Sequence, residues 1–503
     1  MAFSFRKGVL IVFSAALTAL PFHFPGAYPC IAIGLVPFFF SIQGISPSRA
    51  AGYGFLWGIV FFSSTLYWLC AVTVTGAISL WIYLALYPAA CAFVLAKKIH
   101  AFSLFRALFA ASAWTAFEYI RASLFTGFGW VLLGYAPWKA PFFLQVAKVG
   151  GVWLVSFFIA LINVLAFYWL RYRGEKKVSL THRACAFLGV TIAVFFLANM
   201  VIYHSLPAAP CGKSLRVALI QPNIAQNKKW DPSCRTQIFD VLTRLTKEAA
   251  AARPDMIIWP EAALPGFLEY DEDIASFFSR LIDTVKIPIL TGAVTASYAQ
   301  GKNRYYNSAL LFYDGKGYAQ KYDKIHLVPF GEYIPFYDIF PFLERLPRFN
   351  EIGNFSAGTA YTVFMAQACP FSVLICFEDA VVRLAQEFVR KGAHMLVVIT
   401  NDAWFGDTAA PYQHAQASIL RSIENGVWVL RAANTGFSCV ISPQGEIVAS
   451  VSDASGRHTF IEGYCVGDIP CGGRKMTWYT RYGDWVIVVA LLIMLYGTLK
   501  YRA

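Results

Sequence analysis

The sequence predicts a multi-pass α-helical membrane domain of eight spans joined to an α/β layered domain. Three observations carry this. The 503 residues are 57% hydrophobic and only 14% charged, where an ordinary soluble domain carries about 25% charged residues. Apolar runs fill the first 203 residues, and one more closes the chain. From Ser214 onward, short β-rich runs alternate with helical stretches, the pattern of an α/β layered domain. The length leaves room for two domains or more.

The first seven apolar runs are Val9–Phe24, Tyr28–Ile42, Tyr53–Val72, Ala77–Ala96, Ser103–Ile120, Val152–Leu170 and Ala184–Ile202. An eighth is Trp485–Leu499. A span needs about 20 apolar residues; the third, fourth, sixth and seventh approach this and the others are shorter. The expected domains are therefore residues 1–203 with seven spans, an inserted domain at 214–470, and an eighth span at 485–499.

Basic residues set the orientation. Arg6 and Lys7 precede the first run, Arg49 follows the second, and Lys97, Lys98 and Arg106 follow the fourth. Arg171, Arg173, Lys176, Lys177 and Arg183 separate the sixth from the seventh, and Lys500 and Arg502 follow the eighth. With eight spans, every one of these clusters is cytoplasmic, as are both termini, and residues 204–484 are extracytoplasmic. The net charge of +13 thus points to topology and anionic lipid rather than to nucleic acid. Pro29 and Tyr28 before Cys30 are poor neighbours for a lipoprotein signal cleavage.

The loop at 122–145 is aromatic and falls outside the membrane in this scheme; its Trp130 and Trp138 suit the interface. Arg121, just before it, either meets a phosphate head group or marks the interface. Seven of the 11 cysteines lie in the outer domain: Cys211, Cys234, Cys369, Cys376, Cys439, Cys465 and Cys471. An odd number in an oxidising compartment leaves at least one unpaired within the chain. With no CxxC and no zinc-type His/Cys spacing, neither a metal nor another cofactor is expected.

In the outer domain the β-rich runs are 216–221, 256–261, 287–294, 305–313, 371–378, 395–400 and 439–443, with helices expected at 236–252 and from Pro411 into Glu424. Polar residues gather where these strands end, which is where open α/β sheets keep their chemistry. "IIWPE" stops at Glu261; Lys324 and Glu332 flank the turn of "DKIHLVPFGE"; Cys376 and Glu378 close "LICFE"; Asn401 and Asp402 close "VVITND". Any one of these alone reads as a solvated or paired strand-end residue. Together they fit a cysteine nucleophile, which needs a base. Glu261 takes the proton of Cys376, Lys324 meets the oxyanion, and Glu332 either holds the lysine or assists proton movement. Alternating strand geometry puts His326 on the face of Lys324, as a structural or substrate contact rather than the base.

These motifs, "WPE" at 259–261, "DKIHLVPFGE" at 323–332 and "ICFE" at 375–378, resemble the nitrilase, or carbon–nitrogen hydrolase, superfamily. The resemblance implies an α-β-β-α sandwich with the triad Glu261, Lys324 and Cys376. Across nearly its whole length the chain is similar to the apolipoprotein N-acyltransferase branch, on "HLVPFGE", "NDAWFG" at 401–406, "SPQGEI" at 442–447 and the eight-span plan. That resemblance implies an acyltransferase of lipoprotein maturation in a bacterial inner membrane, with its catalytic domain on the periplasmic side. A fatty acyl group would pass from a phospholipid donor to Cys376 as a thioester. It would then pass to the α-amino group of a diacylglyceryl-lipoprotein acceptor. Glu332 and Glu378 are implied supporting acids, Asn401 a supporting residue in its motif, and Trp230 a tryptophan at the substrate entrance. Phe377 stands where the family commonly has Tyr, which removes a hydroxyl beside the nucleophile.

Two rivals remain at this level. A membrane-tethered amidase or nitrilase would pass the same thioester to water, although eight spans exceed what a tether needs. A transporter needs ionisable groups inside its spans, and Glu118 is the only acid within the first seven. The segment "YIPFYDIFPFLERLPRF" at 333–349, rich in Phe, Tyr and Pro, reads as an arm that touches lipid.

Overall fold

Helix breakers and polar side chains decide how the apolar runs fold. The structure is a computed structural model describing residues 4–205, 214–299, 302–315, 317–334, 355–367, 369–472 and 475–500. It divides into two units, residues 1–206 with 477–503, and 207–476. In the first unit the leading run is α1 (Phe5–His23). The second is broken: Pro25 and Pro29 favour a tight 3-10 turn over Pro25–Ala32, and α2 covers only Val36–Ile42. Then follow α3 (Pro47–Thr65), α4 (Val74–Leu95), α5 (Leu104–Ser123), α6 (Ala147–Gly174, kinked at Gly150 and Gly151) and α7 (Val178–His204). The C-terminal helix Trp485–Lys500 packs against α5.

Among the described residues, five segments are long and apolar enough to cross a membrane: Phe5–His23, Pro25–Ile42, Val74–Leu95, Ala147–Gly174 and Val178–His204; Trp485–Lys500 is apolar but shorter. α3 and α5 coincide with expected spans but are less apolar. α5 carries Arg106, Glu118 and Arg121, which neighbours within the unit must satisfy, because lipid cannot.

Arg121 does so by closing the loop that follows it. Only 3% exposed, it donates from Nη1 to the carbonyls of Phe128 and Trp130, at 3.0 and 2.7 Å. Glu118, one turn earlier, accepts from the Leu133 amide at 2.8 Å. The role is therefore a loop clamp rather than an interface marker. The interface reading of Trp130 and Trp138 fails as well, since both are buried: the clamp folds the loop back onto its own unit. Trp57 extends this aromatic core, stacked on Phe61 at 4.7 Å and edge-on to Trp114 at 5.3 Å.

The second unit has two six-stranded sheets. In chain order its elements are β1 (Ser214–Gln221), α8 (Arg235–Ala250), β2 (Met256–Ile258), α9 (Glu272–Val285), β3 (Ile289–Ala299), β4 (Lys302–Phe312) and β5 (Tyr318–Asp323). β6 (Phe364–Ala366), β7 (Cys369–Ile375), α10 (Val382–Arg390), β8 (Met395–Thr400), α11 (Ala410–Asn425), β9 (Trp428–Ala433), β10 (Cys439–Ile441), β11 (Ile447–Ser450) and β12 (Gly463–Pro470) complete it. One sheet runs β12-β1-β2-β3-β4-β5 and the other β11-β10-β9-β8-β7-β6. The sheets face each other through β1 and β9 and through β4 and β7; α8 packs on the first sheet, and α10 and α11 on the second. This is an α-β-β-α sandwich, a nitrilase-like fold.

Periodicity explains the outer layer. Ile238, Leu242, Leu245 and Ala249 recur on one face of α8 and are buried with Phe278 and Leu281 of α9. Each buried Ile, Leu or Phe side chain of this set stabilises the layer by about 1.5–3 kcal/mol. Both expected helices form, while β5, β6, β9, β11 and β12 fall outside the expected β-rich runs. Of the aromatic segment 333–349, residues 335–349 lie outside the described residues.

The Arg121 clamp is testable. Arg121→Met would leave Glu118 without its cation and two buried carbonyls without a donor. Breaking such a buried pair costs on the order of 3 kcal/mol, so Tm in detergent should fall clearly. An unchanged Tm would mean that the loop holds itself.

Candidate active site

Strand direction brings the polar groups together. β1, β2 and β3 run parallel, as do β7, β8 and β9. β5, antiparallel to β4, regains the direction of β3. The C-terminal ends of β2 and β5 therefore lie at one edge of the first sheet, and those of β7, β8 and β9 at one edge of the second. Glu261 follows β2, Lys324 follows β5, Cys376 follows β7 and Asn401 follows β8.

Glu261 is set by a close backbone approach. Gly292 of β3 presses against it, and a Cβ there would meet the Glu261 Cα at 2.6 Å. Its carboxylate accepts from Asn307 Nδ2 at 2.8 Å and from the Asn401 amide at 2.9 Å. Lys324, 1% exposed, places Nζ 2.9 Å from Glu332 and 4.0 Å from Glu261. Burial alone would lower its pKa; Glu332 foremost, with Cys376, Glu261 and Glu378, outweighs burial and holds the proton firmly. Burial likewise raises the Glu332 carboxyl, but the Lys324 ammonium brings it below the usual range. Glu332 also accepts from Asn307 at 2.8 Å and from the Val328 amide at 2.8 Å.

Cys376 opens a 3-10 turn, Cys376–Ala380, directly after β7. It is half-buried, and its φ of 54° lies in the left-handed region. A non-glycine residue there costs on the order of 1 kcal/mol or more and persists only where its surroundings impose it. Burial, followed by the Glu261 charge, pushes the Cys376 thiol well above its ordinary range; Lys324 acts against them. These influences together favour the protonated thiol, which would need a base to act as a nucleophile.

Glu378 is a clamp. Fully buried, it accepts from Tyr322 Oη, the amides of Ile325 and His326, and the Ile375 amide, at 2.8, 2.8, 2.9 and 2.8 Å. It thus ties the turn after β5 to the end of β7. Burial raises its pKa to about 7, against these donors and Lys324. β5 ends at Asp323, so His326 lies in a bend rather than on the Lys324 face of a strand. Its ring stacks on Phe377, centroids 6.0 Å apart. Asn401 donates to Gln226 at 2.8 Å and accepts from Asn434 at 2.9 Å. Trp230 is 48% exposed, on a turn.

Several groups escaped the sequence. Asn307 lies within β4, just before its apolar end, yet bridges both carboxylates. Lys229, beside Trp230, is buried and donates to the Glu261 carbonyl at 2.9 Å. Burial lowers its pKa to about 8, against Glu261 and Cys376. Asp379 and Asp402 each form buried ion pairs with both His414 and Arg431. The signal available was clearest for Arg431, a charged residue inside the otherwise apolar β9. Among the described residues, no group of three or more His, Cys, Asp and Glu is arranged to hold a metal ion.

Comparison with known proteins follows this geometry. The carbon–nitrogen hydrolase family matches residues 216–470, and the apolipoprotein N-acyltransferase N-terminal domain matches residues 14–165. A Geobacter metallireducens protein named apolipoprotein N-acyltransferase is 33% identical over 97% of this chain and 94% of its own. Proteins of the same name from Brucella suis and Methylococcus capsulatus are each 32% identical. The first alignment covers 89% of this chain and 84% of the relative; the second covers 88% and 87%. Among solved structures, an amidase from Nesterenkonia sp. aligns with 57% of this chain and 99% of its own at 15% identity, with a TM-score of 0.40. On the extent and identity of the sequence matches, this chain belongs to the apolipoprotein N-acyltransferase family.

Proposed function

We propose that this bacterial inner-membrane protein N-acylates lipoproteins through a thioester on Cys376, with Glu261 as base and Lys324 as oxyanion partner. Acyl transfer in lipoprotein maturation is the activity of its family. The observation that carries the residue assignment is the strained Cys376 at a strand end, whose thiol burial and Glu261 push above its ordinary range while Lys324 acts against them.

The chemistry balances in two steps. Glu261 takes the Cys376 proton as the sulfur attacks the ester carbonyl of a phospholipid. The C–S bond forms and the negative oxygen faces the Lys324 ammonium. On collapse the C–O bond breaks, Glu261 returns its proton to the leaving oxygen, and a lysophospholipid departs. In the second step the neutral α-amino group of a diacylglyceryl cysteine attacks the thioester. The C–N bond forms, the C–S bond breaks, and the amine proton returns through Glu261 to sulfur. Glu332 keeps the lysine charged and fixed, Glu378 and Asn401 hold the turns, and Trp230 and Phe377 contact substrate. The family's whole-chain match favours this reading over a membrane-tethered amidase.

We also propose eight spans, cytoplasmic termini and a periplasmic catalytic unit. The basic clusters support this orientation. So does the disulfide Cys369–Cys471, a bond of oxidising compartments.

Three outcomes are expected. Incubation with acyl-labelled phospholipid should label the wild-type protein, and neutral hydroxylamine should release the label. Cys376→Ala should remain unlabelled, and labelling at the wild-type rate would overturn the assignment. In the complete assay, free fatty acid without acylated peptide amine would instead favour the amidase.

Glu332→Gln should lower turnover by roughly 100-fold or more and should be strongly non-additive with Lys324→Met, since the two share one ion pair. Additive losses would separate them.

A reporter active only outside the cytoplasm should be active when fused after Ser205 and silent after Lys177. The reverse pattern would invert the topology.

A further inference from the structure

Beneath Cys376 lie four buried charges that neither acyl-transfer step uses. Asp379 stands in the turn opened by Cys376, Asp402 begins the turn after β8, His414 lies on α11 and Arg431 on β9. None is more than 1% exposed. Arg431 reaches Asp379 Oδ2 at 3.0 Å and Asp402 Oδ2 at 3.2 Å. His414 Nδ1 lies 2.7 Å from Asp402 Oδ1; Nε2 lies 3.0 Å from Asp379 Oδ1 and 3.2 Å from the Cys376 carbonyl oxygen. Ser418, one turn further along α11, donates to Asp379 and accepts from Arg431 at 3.2 Å. The loop after β9 closes on this cluster so tightly that a Cβ at Gly436 would meet Asp402 Oδ2 at 2.0 Å.

The chemistry of the acceptors sets the state of the imidazole. A peptide carbonyl and two carboxylates can only accept, so both ring nitrogens must carry a proton. Two cations then face two anions, and the cluster is neutral as a whole. Burial and Arg431 act to lower the His414 pKa, but Asp379 and Asp402 overcome them and raise it to about 9.

This cluster reaches the backbone of Cys376 at its carbonyl, and the φ of Cys376 is left-handed. We infer that His414 is a positioning residue: its imidazolium, braced by Asp379 and Asp402, grips the Cys376 carbonyl and keeps the nucleophile in the turn that directs its sulfur toward Glu261 and Lys324. This rests on Cys376 being the nucleophile. At 1% exposure, His414 acts through Cys376 and not on substrate. The grip is complete below the ordinary histidine value near 6.5 and is lost as pH rises through about 9.

The test follows thioester formation on the purified full-length chain in detergent, with acyl-labelled phospholipid, and expresses the rate per folded molecule. His414→Leu should slow acylation at saturating donor by about 100-fold, the scale of a slightly misplaced reacting atom, with KM little changed. His414→Gln keeps a neutral donor and should recover a substantial part of the rate. In wild type the rate should drop as pH rises through about 9, and the Gln variant should lack that drop. Cys376→Ala, run alongside, should take no label. Wild-type rates per folded molecule in both His414 variants, with Cys376→Ala unlabelled, would overturn the positioning role alone. Failure of both variants to fold would make His414 a packing residue and overturn it too. A labelled Cys376→Ala would instead remove the nucleophile on which the inference stands.

Discussion

The ammonium of Lys324 is the constraint around which the catalytic unit is organised. At 1% exposure it has almost no water to solvate it, and an unpaired charge in such a place is costly. Glu332 and Glu261 neutralise it, and Asn307 spans the two carboxylates so that neither can swing away. The Glu261 oxygen that does not face the lysine accepts from the Asn401 amide, and Glu332, both of whose oxygens lie against the lysine, also accepts from the Val328 amide. Every one of these donors comes from a different strand or turn, so the charge can be buried only if both sheets are aligned.

The same alignment decides what the cysteine can do. Its turn has a left-handed φ, and on its thiol the Glu261 charge adds to the effect of burial while the Lys324 charge opposes it. Burial favours the proton on sulfur, and in the proposed mechanism the thiol becomes a nucleophile as Glu261 removes that proton. Glu378 fastens the turn from one side through four hydrogen bonds, and the His414 cluster meets it from the other. A reacting atom held in this way needs little reorganisation during attack.

Much of this was legible in the order of residues. Glu261, Lys324, Cys376 and Asn401 stand out because each interrupts or ends an apolar run, and a strand end is where an α/β sheet exposes side chains. The alternation of β-rich runs with helices announced the layered domain, and the apolar runs announced helices in the first unit. Asn307, Lys229, Asp379, His414 and Arg431 were not legible as site residues. An isolated polar residue in a strand or helix reads as a solvated position until its neighbours from other elements are known. Trp130 and Trp138 misled for the complementary reason: their chemistry suits an interface, and only the Arg121 clamp explains why they are buried.

By itself the sequence determined the division into a membrane-type and an α/β unit, the strand-end residues and the family. Local composition and motif spacing suffice for these. Tertiary structure decided the rest. It turned Arg121 from an interface residue into a loop clamp, made Glu332 the principal partner of Lys324, and paired Cys369 with Cys471 across 102 residues of chain. It also gathered four charges from two turns, a helix and a strand beneath Cys376. The physical reason is common to all of these: a buried charge or thiol takes its state from groups distant in sequence, and only the folded sheets bring those groups within a few ångströms.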